Sequence, residues 1–308
     1  MTKNILVLGS SNIDLILEVP RFPHPGETLS AEKRVTVFGG KGANQAMAAK
    51  RLGGKVTCIT KLGNDAYGKS YRQYLARNGF PLKGILQDKN SPTGMAFIEL
   101  TPGGENRIIV SQGANGSLSK RDLMRLRTLW KGVRVFVTQL EIPVATVKLG
   151  LKLAKEDGGL TFLNPSPPLR LPSHLLSLVD FIVPNEWEAQ FLTGIKMNTD
   201  QDIQKIAARL LKMGVKNVVI TLGPKGLFFK NKTEEIWMDA HRVKVVDTTA
   251  AGDAFIGGLA CGLSEDKPIY ETLRWANGAG ALATTKLGAQ PSLPSRRNVE
   301  VFFSTRCP

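Results

Sequence analysis

The chain has 308 residues, 42% hydrophobic and 22% charged, enough apolar material for one large core or two modest ones. Its three cysteines, Cys58, Cys261 and Cys307, are scattered without metal-ligand spacing, and no run reaches eighteen apolar residues. A zinc module and a membrane span are therefore excluded, and a reduced, cytoplasmic setting is expected. The formal net charge of +15 admits either nucleic acid or small anions as partners. Basic residues are spread along the chain; the densest patch, "KRDLMRLRTLWK" (120–131), has helical spacing, and no zinc-finger or RNA-recognition signature accompanies it. Small anions are the expected partners, not nucleic acid.

In chain order, "NILVLGS" (4–10) reads as a strand, and "GSSNID" follows it with Asn12 and Asp14 one residue apart. On an extended backbone those two side chains share a side. Residues 14–38 alternate at their flanks but are broken by Pro20, Pro23, Pro25 and Gly26. "FGGKGANQA" (38–46) then runs from glycines into a helix predicted over 42–52, followed by a strand at 55–60. Residues 93–110 read as a hairpin closed around "TPGGEN".

Beyond it, strands at 133–140, 160–164, 179–185 and 217–223 alternate with helices at 143–156 and 199–213. Each strand is nearly all apolar, as suits a parallel sheet covered on both faces. The expected fold is α/β: one unit spanning 1–308, with a doubly wound, mostly parallel sheet flanked by helices. The segments at about 14–38 and 93–110 are expected to form antiparallel pieces of a small β lid over one end.

Ligands of open α/β sheets gather at the carboxyl ends of the strands. Polar or glycine residues crowd there: Asn12 and Asp14, then Glu141, "NEWE" (185–188) and "GPKG" (223–226). Glu141, beside Pro143, could equally cap the next helix. In "VVDTTAAGDAF" (245–255) an apolar run ends at Asp247, small residues follow, and a helix opens at Gly252–Asp253–Ala254. A helix start offers unpaired N–H groups and a positive dipole, and small side chains let a phosphate approach. Asp253 beside such a site suits a general base. The plain alternative is a helix-end carboxylate worth under about 1 kcal/mol. No Walker A or protein-kinase signature is present.

"GGKGANQAMAA" (39–49) and "VDTTAAGDAF" (246–255) resemble the two signatures of ribokinase-like (PfkB) carbohydrate kinases. "PGETL", "QLE", "LNPSP", "PNEWEAQFLTG", "VVITLGPKG" and "KLGAQPSLP" fall in the family's order, so the resemblance covers essentially all of 1–295. It implies a helix-sandwiched α/β sheet with a β lid that also forms a homodimer. The implied reaction is transfer of the γ-phosphoryl of ATP to the 5-hydroxyl of D-ribose. Deoxyribose, a ketohexose phosphate or a nucleoside are alternative acceptors. A nucleic-acid-binding or regulatory protein on a kinase scaffold is a remote one.

Residue by residue, the resemblance assigns Asn12, Asp14, Gly39, Gly40, Lys41, Asn44 and Glu141 to the sugar. It makes Asp253 the base, with the amides of Ala250, Ala251, Gly252 and Asp253 as an anion hole. Asn185 and Glu188 match the family's "NxxE", which organises Mg²⁺ around the nucleotide phosphates. Thr221, Leu222, Gly223, Lys225 and Gly226 match its nucleotide-binding turn, with Asn277 near the adenine. Asp247, Thr249, Ala283, Lys286, Gly288 and Ser292 match a K⁺ site. Departures are "NPSPP" (164–168) for "NPAPA", and Trp187, expected to pack locally.

Overall fold

Alternation inside the first strand decides the layering. In a computed structural model that describes residues 3–103 and 105–305, Ile5 and Val7 enter one hydrophobic core while Leu6 and Leu8 enter another. A strand apolar at every position needs cover on both faces, because successive side chains point oppositely. Gly104, in the predicted hairpin turn, and Cys307 lie outside the described residues.

Strands among the described residues, in chain order, are β1 (Asn4–Leu8), β2 (Asn12–Glu18), β3 (Lys33–Gly39), β4 (Lys55–Gly63), β5 (Ile85–Asp88), β6 (Gly94–Leu100) and β7 (Asn106–Ser111). They continue with β8 (Val133–Thr138), β9 (Leu160–Leu163), β10 (Phe181–Ile182), β11 (Asn217–Thr221), β12 (Leu227–Lys230) and β13 (Glu235–Met238). The helices that position the site are α1 (Lys41–Arg51), α2 (Ala66–Arg77), α3 (Lys120–Arg125), α4 (Val144–Glu156), α5 (Ser173–Leu176), α6 (Glu186–Thr193), α7 (Asp200–Lys212), α8 (Ala251–Ser264) and α9 (Ile269–Ala283).

The large sheet runs β13-β12-β11-β10-β9-β8-β1-β4-β5. Pairs from β11 through β1 to β5 are parallel; β11-β12-β13 is an antiparallel end. Helices α1, α2, α8 and α9 cover the face of Ile5 and Val7; α3, α4 and α7 cover the other. α7 shows the local logic. Thr199 accepts from the Asp202 amide and Asp202 returns the bond to the Thr199 amide, closing a capping box worth about 1 kcal/mol. Ile203, Ile206, Ala207 and Leu210 then make one buried stripe.

Two details differ from the sequence reading. The strand foreseen at 179–185 is only β10, Phe181–Ile182; Pro184, which has no N–H to donate, interrupts the ladder, and a single parallel bridge of Asn185 with Thr221 follows it. The β12–β13 hairpin is unforeseen, since its charged ends hide the apolar alternation. The small sheet, ordered β3-β2-β6-β7, joins the two expected antiparallel pieces through a parallel pair, β2 with β6, which sets Asn12 opposite Gly94. Both strands leave the same end of the large sheet and become the centre of the small one, so they run the same way. β2–β3 and β6–β7 are antiparallel as expected. No helix among the described residues is long and apolar enough to cross a membrane. Cys58 and Cys261 are buried free thiols, and burial pushes both up to about 12.

Candidate active site

The site forms where the start of the small sheet meets the carboxyl ends of the large one. Ala250 precedes α8 in a left-handed conformation, φ 61°, which an alanine adopts only at a cost. That turn directs the α8 N-terminus at the cleft. The amides of Ala250, Gly252 and Asp253 have no protein acceptor among the described residues, whereas that of Ala251 turns to Thr248 O at 3.2 Å. The anion hole expected from four amides thus has three free ones.

Asp253 is buried. Its Oδ1 accepts from Gln45 Nε2 at 2.9 Å and its Oδ2 from Asn44 Nδ2 at 3.0 Å, both from α1. Burial holds its carboxyl above the usual carboxylate range, against the pull of Lys41 and these two amides. Asn44 Oδ1 is buried and has no hydrogen-bond partner among the described residues. A buried acceptor so placed is open to a donor from a ligand or from water.

Asn12 and Asp14 lie on β2, buried and on one face as the spacing foretells. Asn12 Oδ1 accepts from Asn115 Nδ2 at 2.7 Å. Asp14 carries no hydrogen bond from any described residue, and Gly39 explains how it fits. A Cβ on Gly39 would lie 1.9 Å from Asp14 Oδ2, so only glycine lets the carboxylate occupy that place. Glu141 does not cap α4, whose N-cap position is Pro143 with no side-chain bond. Instead its Oε2 accepts from Ser10 Oγ and from the Lys41 amide, the latter at 3.1 Å, where α1 begins after Gly40. Lys41 sits among Asp253, Glu141, Glu188 and Asp14, which together hold its ammonium above the ordinary lysine range despite burial.

Burial, with Glu141 and Asp253 nearby, pushes the Asp14 carboxyl up to about 7 from 3.8. Below pH 4 both folded and unfolded chains are protonated there. Between 4 and 7 the unfolded chain gives up its proton first, so stability falls as pH rises and the full penalty applies above 7. Asp14→Asn removes it. The variant is expected to be more stable than wild type at pH 8, by at most about 4 kcal/mol, with the advantage vanishing toward pH 4. Tm measured from pH 5 to 8 checks this: a constant difference between the proteins would remove Asp14 as the source.

The second half of the cleft holds Asn185, Glu188 and the turn after β11. Asn185 caps α6: its Oδ1 accepts from the Glu188 amide at 2.8 Å, and Glu188 Oε2 accepts from the Asn185 amide at 2.9 Å. The N-x-x-E spacing is therefore a capping box in its own right, leaving one Glu188 oxygen outside it. Trp187, expected to pack locally, is 65% exposed; the intervening helix position faces outward. Thr221 ends β11, and Leu222, Gly223 and Lys225 turn the chain to Gly226 at φ 96°, which passes so near Met238 O that a Cβ would lie 2.0 Å from it. Asn277 on α9 donates to Asp239 O at 2.7 Å, tying that helix to the loop after β13.

Beside the α8 start, Asp247 Oδ1 accepts from Thr249 Oγ1 at 2.6 Å and Oδ2 from the Gly288 amide at 2.8 Å. Ser292 Oγ donates to Ala289 O at 2.8 Å. The carbonyls of Thr249, Ala283, Lys286 and Gly288 accept no hydrogen bond among the described residues.

Sequence reading singled out neither Ser10, Gln45, Asn115, Gln139 nor Asn164, all buried here. Four sat inside quoted stretches, "GSSNID", "GGKGANQAMAA", "QLE" and "LNPSP", where polar residues beside apolar runs were the available signal.

The sequence pattern of the pfkB family carbohydrate kinases matches residues 2–296. The chain belongs to that family. This pfkB-family chain is 40% identical over 303 residues to ribokinase of Haemophilus influenzae, covering 98% of this chain and 99% of that one. It is 34% identical over 302 residues to deoxyribokinase of Salmonella typhimurium, covering 98% and 99%. Its fold is similar to that of Arabidopsis thaliana ribokinase solved with ribose and ATP, with TM-score 0.89, 35% identity and 98% of each chain covered.

Proposed function

We propose that the protein transfers the γ-phosphoryl group of ATP to the 5-hydroxyl of D-ribose, giving D-ribose 5-phosphate and ADP. Unspent hydrogen-bonding capacity around Asp253 carries this reading. Asp14 and Asn44 Oδ1 are nearly closed off from water, yet no described residue donates to either. A small polyhydroxylated ligand supplies those donors. Relatives named ribokinase over nearly the whole chain support ribose as that ligand.

Asn12, Asp14, Asn44 and Glu141, with the backbone at Gly39, Gly40 and Lys41, hold the sugar so that O5 points at Asp253. Asn44 turns from Asp253 to the sugar and frees Oδ2. As O5 bonds to the γ-phosphorus, the bond to the bridging oxygen of ADP breaks and the hydroxyl proton passes to Asp253. The free amides at the α8 start stabilise the charge on the transferring group, and positioning supplies much of the remainder. The nucleotide lies along Asn185, Glu188, Thr221–Gly226 and Asn277. The small sheet closes over the sugar and excludes water, which would otherwise accept the phosphoryl group.

Mg²⁺ fits the free oxygen of Glu188 through water, and when bound with ATP it neutralises phosphate charge. K⁺ fits the unspent carbonyls of Thr249, Ala283, Lys286 and Gly288, with Asp247 and Ser292 shaping their loops. Turnover is expected to rise several-fold when K⁺ replaces Na⁺ at equal ionic strength with Mg²⁺ fixed. Equal rates in the two salts would remove the cation loop from the mechanism. A homodimer through the lid is supported by β7, one of the small sheet's two outer strands, where Ile108, Ile109 and Val110 are exposed.

ADP release with a panel of pentoses, hexoses, ketohexose phosphates and nucleosides tests the acceptor. D-Ribose is expected to give the highest kcat/KM; a nucleoside or sugar phosphate turning over faster would reassign it.

A further inference from the structure

Asp253 takes two amide donors from neighbouring residues of α1, and the two differ in kind. Asn44 keeps a buried oxygen without a partner and faces the ligand space. Gln45 is saturated by protein. Its Nε2 donates to Asp253 Oδ1 at 2.9 Å and to Asn164 Oδ1 at 3.2 Å, and its Oε1 accepts from Gln139 Nε2 at 2.5 Å. The link to Asn164 leaves little freedom, whereas the Gln139 amide is held by its bond to Gln45, its own Oε1 having no partner among the described residues. Asn164 cannot turn its amide over, because its Nδ2 donates to Val183 O at 3.0 Å. Asn164 thus presents an oxygen to Gln45, and the Asp253 carboxylate presents another. Turning Gln45 over would set its oxygen against both. All three amide residues are buried, so water offers no easy substitute.

Resting on the reading of Asp253 as the base, we propose that Gln45 is a positioning residue that fixes the Asp253 carboxylate, and that Asn164 and Gln139 lock Gln45 in turn. The side chains of Asn44 and Gln45 divide the work. Asn44 changes partners when sugar binds; Gln45 keeps Oδ1 occupied and the carboxylate plane constant, so that Oδ2 is the oxygen that takes the proton. The charged groups around Asp253 are Lys41 on α1, Glu141 after β8 and Asp14 on β2. Gln45 and Asn44 are the neutral donors among them, and each favours the ionised form of the base; of the two, Gln45 is the one held by protein alone.

Gln45→Met keeps length and apolar volume while removing the donor. It is expected to lower kcat about 10- to 100-fold with KM for ribose within about twofold. The acid limb of the kcat–pH profile should move up by about 1–2 pH units, since a carboxylate that loses a donor holds its proton more tightly. Gln45→Glu adds a like charge and should move the limb further in the same direction. Circular dichroism and Tm are measured alongside. A folded Gln45→Met enzyme with the wild-type acid limb overturns the proposal, whether or not its Tm falls. Should Gln45→Met not fold, Gln139→Met tests the next link: a smaller upward shift is expected, and no shift overturns it. Asp253→Asn separates the two levels. If that variant turns over normally, the assignment of the base has failed. If it is inactive while Gln45→Met keeps the wild-type profile, only the role of Gln45 has failed.

Discussion

Asp253→Asn is expected to lower kcat about 10²–10⁴-fold while leaving the fold and nucleotide binding intact. The site accommodates the amide. Gln45 is held by Asn164 and Gln139, so the variant's oxygen faces Gln45 and its nitrogen faces Asn44. Asn44 has an oxygen without a partner and turns over to accept from it. Shape and hydrogen bonding therefore survive, and only proton acceptance is lost. Steady-state kinetics with nucleotide-binding titrations checks this. Turnover within tenfold of wild type would reduce Asp253 to a helix-end carboxylate. The wild-type rate should also fall at acid pH, with a limb above the ordinary carboxylate range, because burial holds Asp253 there.

What the sequence reveals of this site follows from how local each signal is. The α8 start was legible because small residues, a carboxylate and the end of an apolar run are adjacent in the chain. The parallel sheet was legible because strands buried on both faces lose their alternation, and β10 was overdrawn because Pro184, without an N–H, interrupts the ladder ahead of the single Asn185–Thr221 bridge. Glu141 was ambiguous: its neighbour Pro143 suggested a cap, whereas its partners are Ser10 and Lys41, across the site. Gln45 was invisible for the same reason, its bond to Asp253 spanning 208 positions. Asn185 and Glu188 mark the opposite limit. Their spacing satisfies a helix cap and a family signature at once, so spacing alone cannot separate the two roles.

D-Ribose is expected to exceed 2-deoxy-D-ribose in kcat/KM by roughly 10- to 10³-fold, about 1.4–4 kcal/mol in transition-state stabilisation. Two neighbours on β2 present the means. Asn115 occupies Asn12 Oδ1 at 2.7 Å, so Asn12 offers its Nδ2 donor to the ligand. Asp14, one step along on the same face, offers only acceptors in its ionised form, and no described residue uses them. A donor beside an acceptor pair suits adjacent hydroxyls, and removing one hydroxyl strands a nearly buried polar group. A fully sealed site could discriminate by about 10⁴-fold, but water entering beneath the lid recovers part of the lost bonding. Measuring both sugars at saturating ATP, with Asp14→Ala alongside, locates the reader of the 2-hydroxyl. Equal values for the wild type would mean that hydroxyl is not read. A preference surviving Asp14→Ala unchanged would move the reading elsewhere, with Asn12 and its anchor Asn115 the next pair to substitute. Collapse of the preference in Asp14→Ala, with ribose turnover falling toward that of deoxyribose, is the outcome expected of a carboxylate left free by the fold.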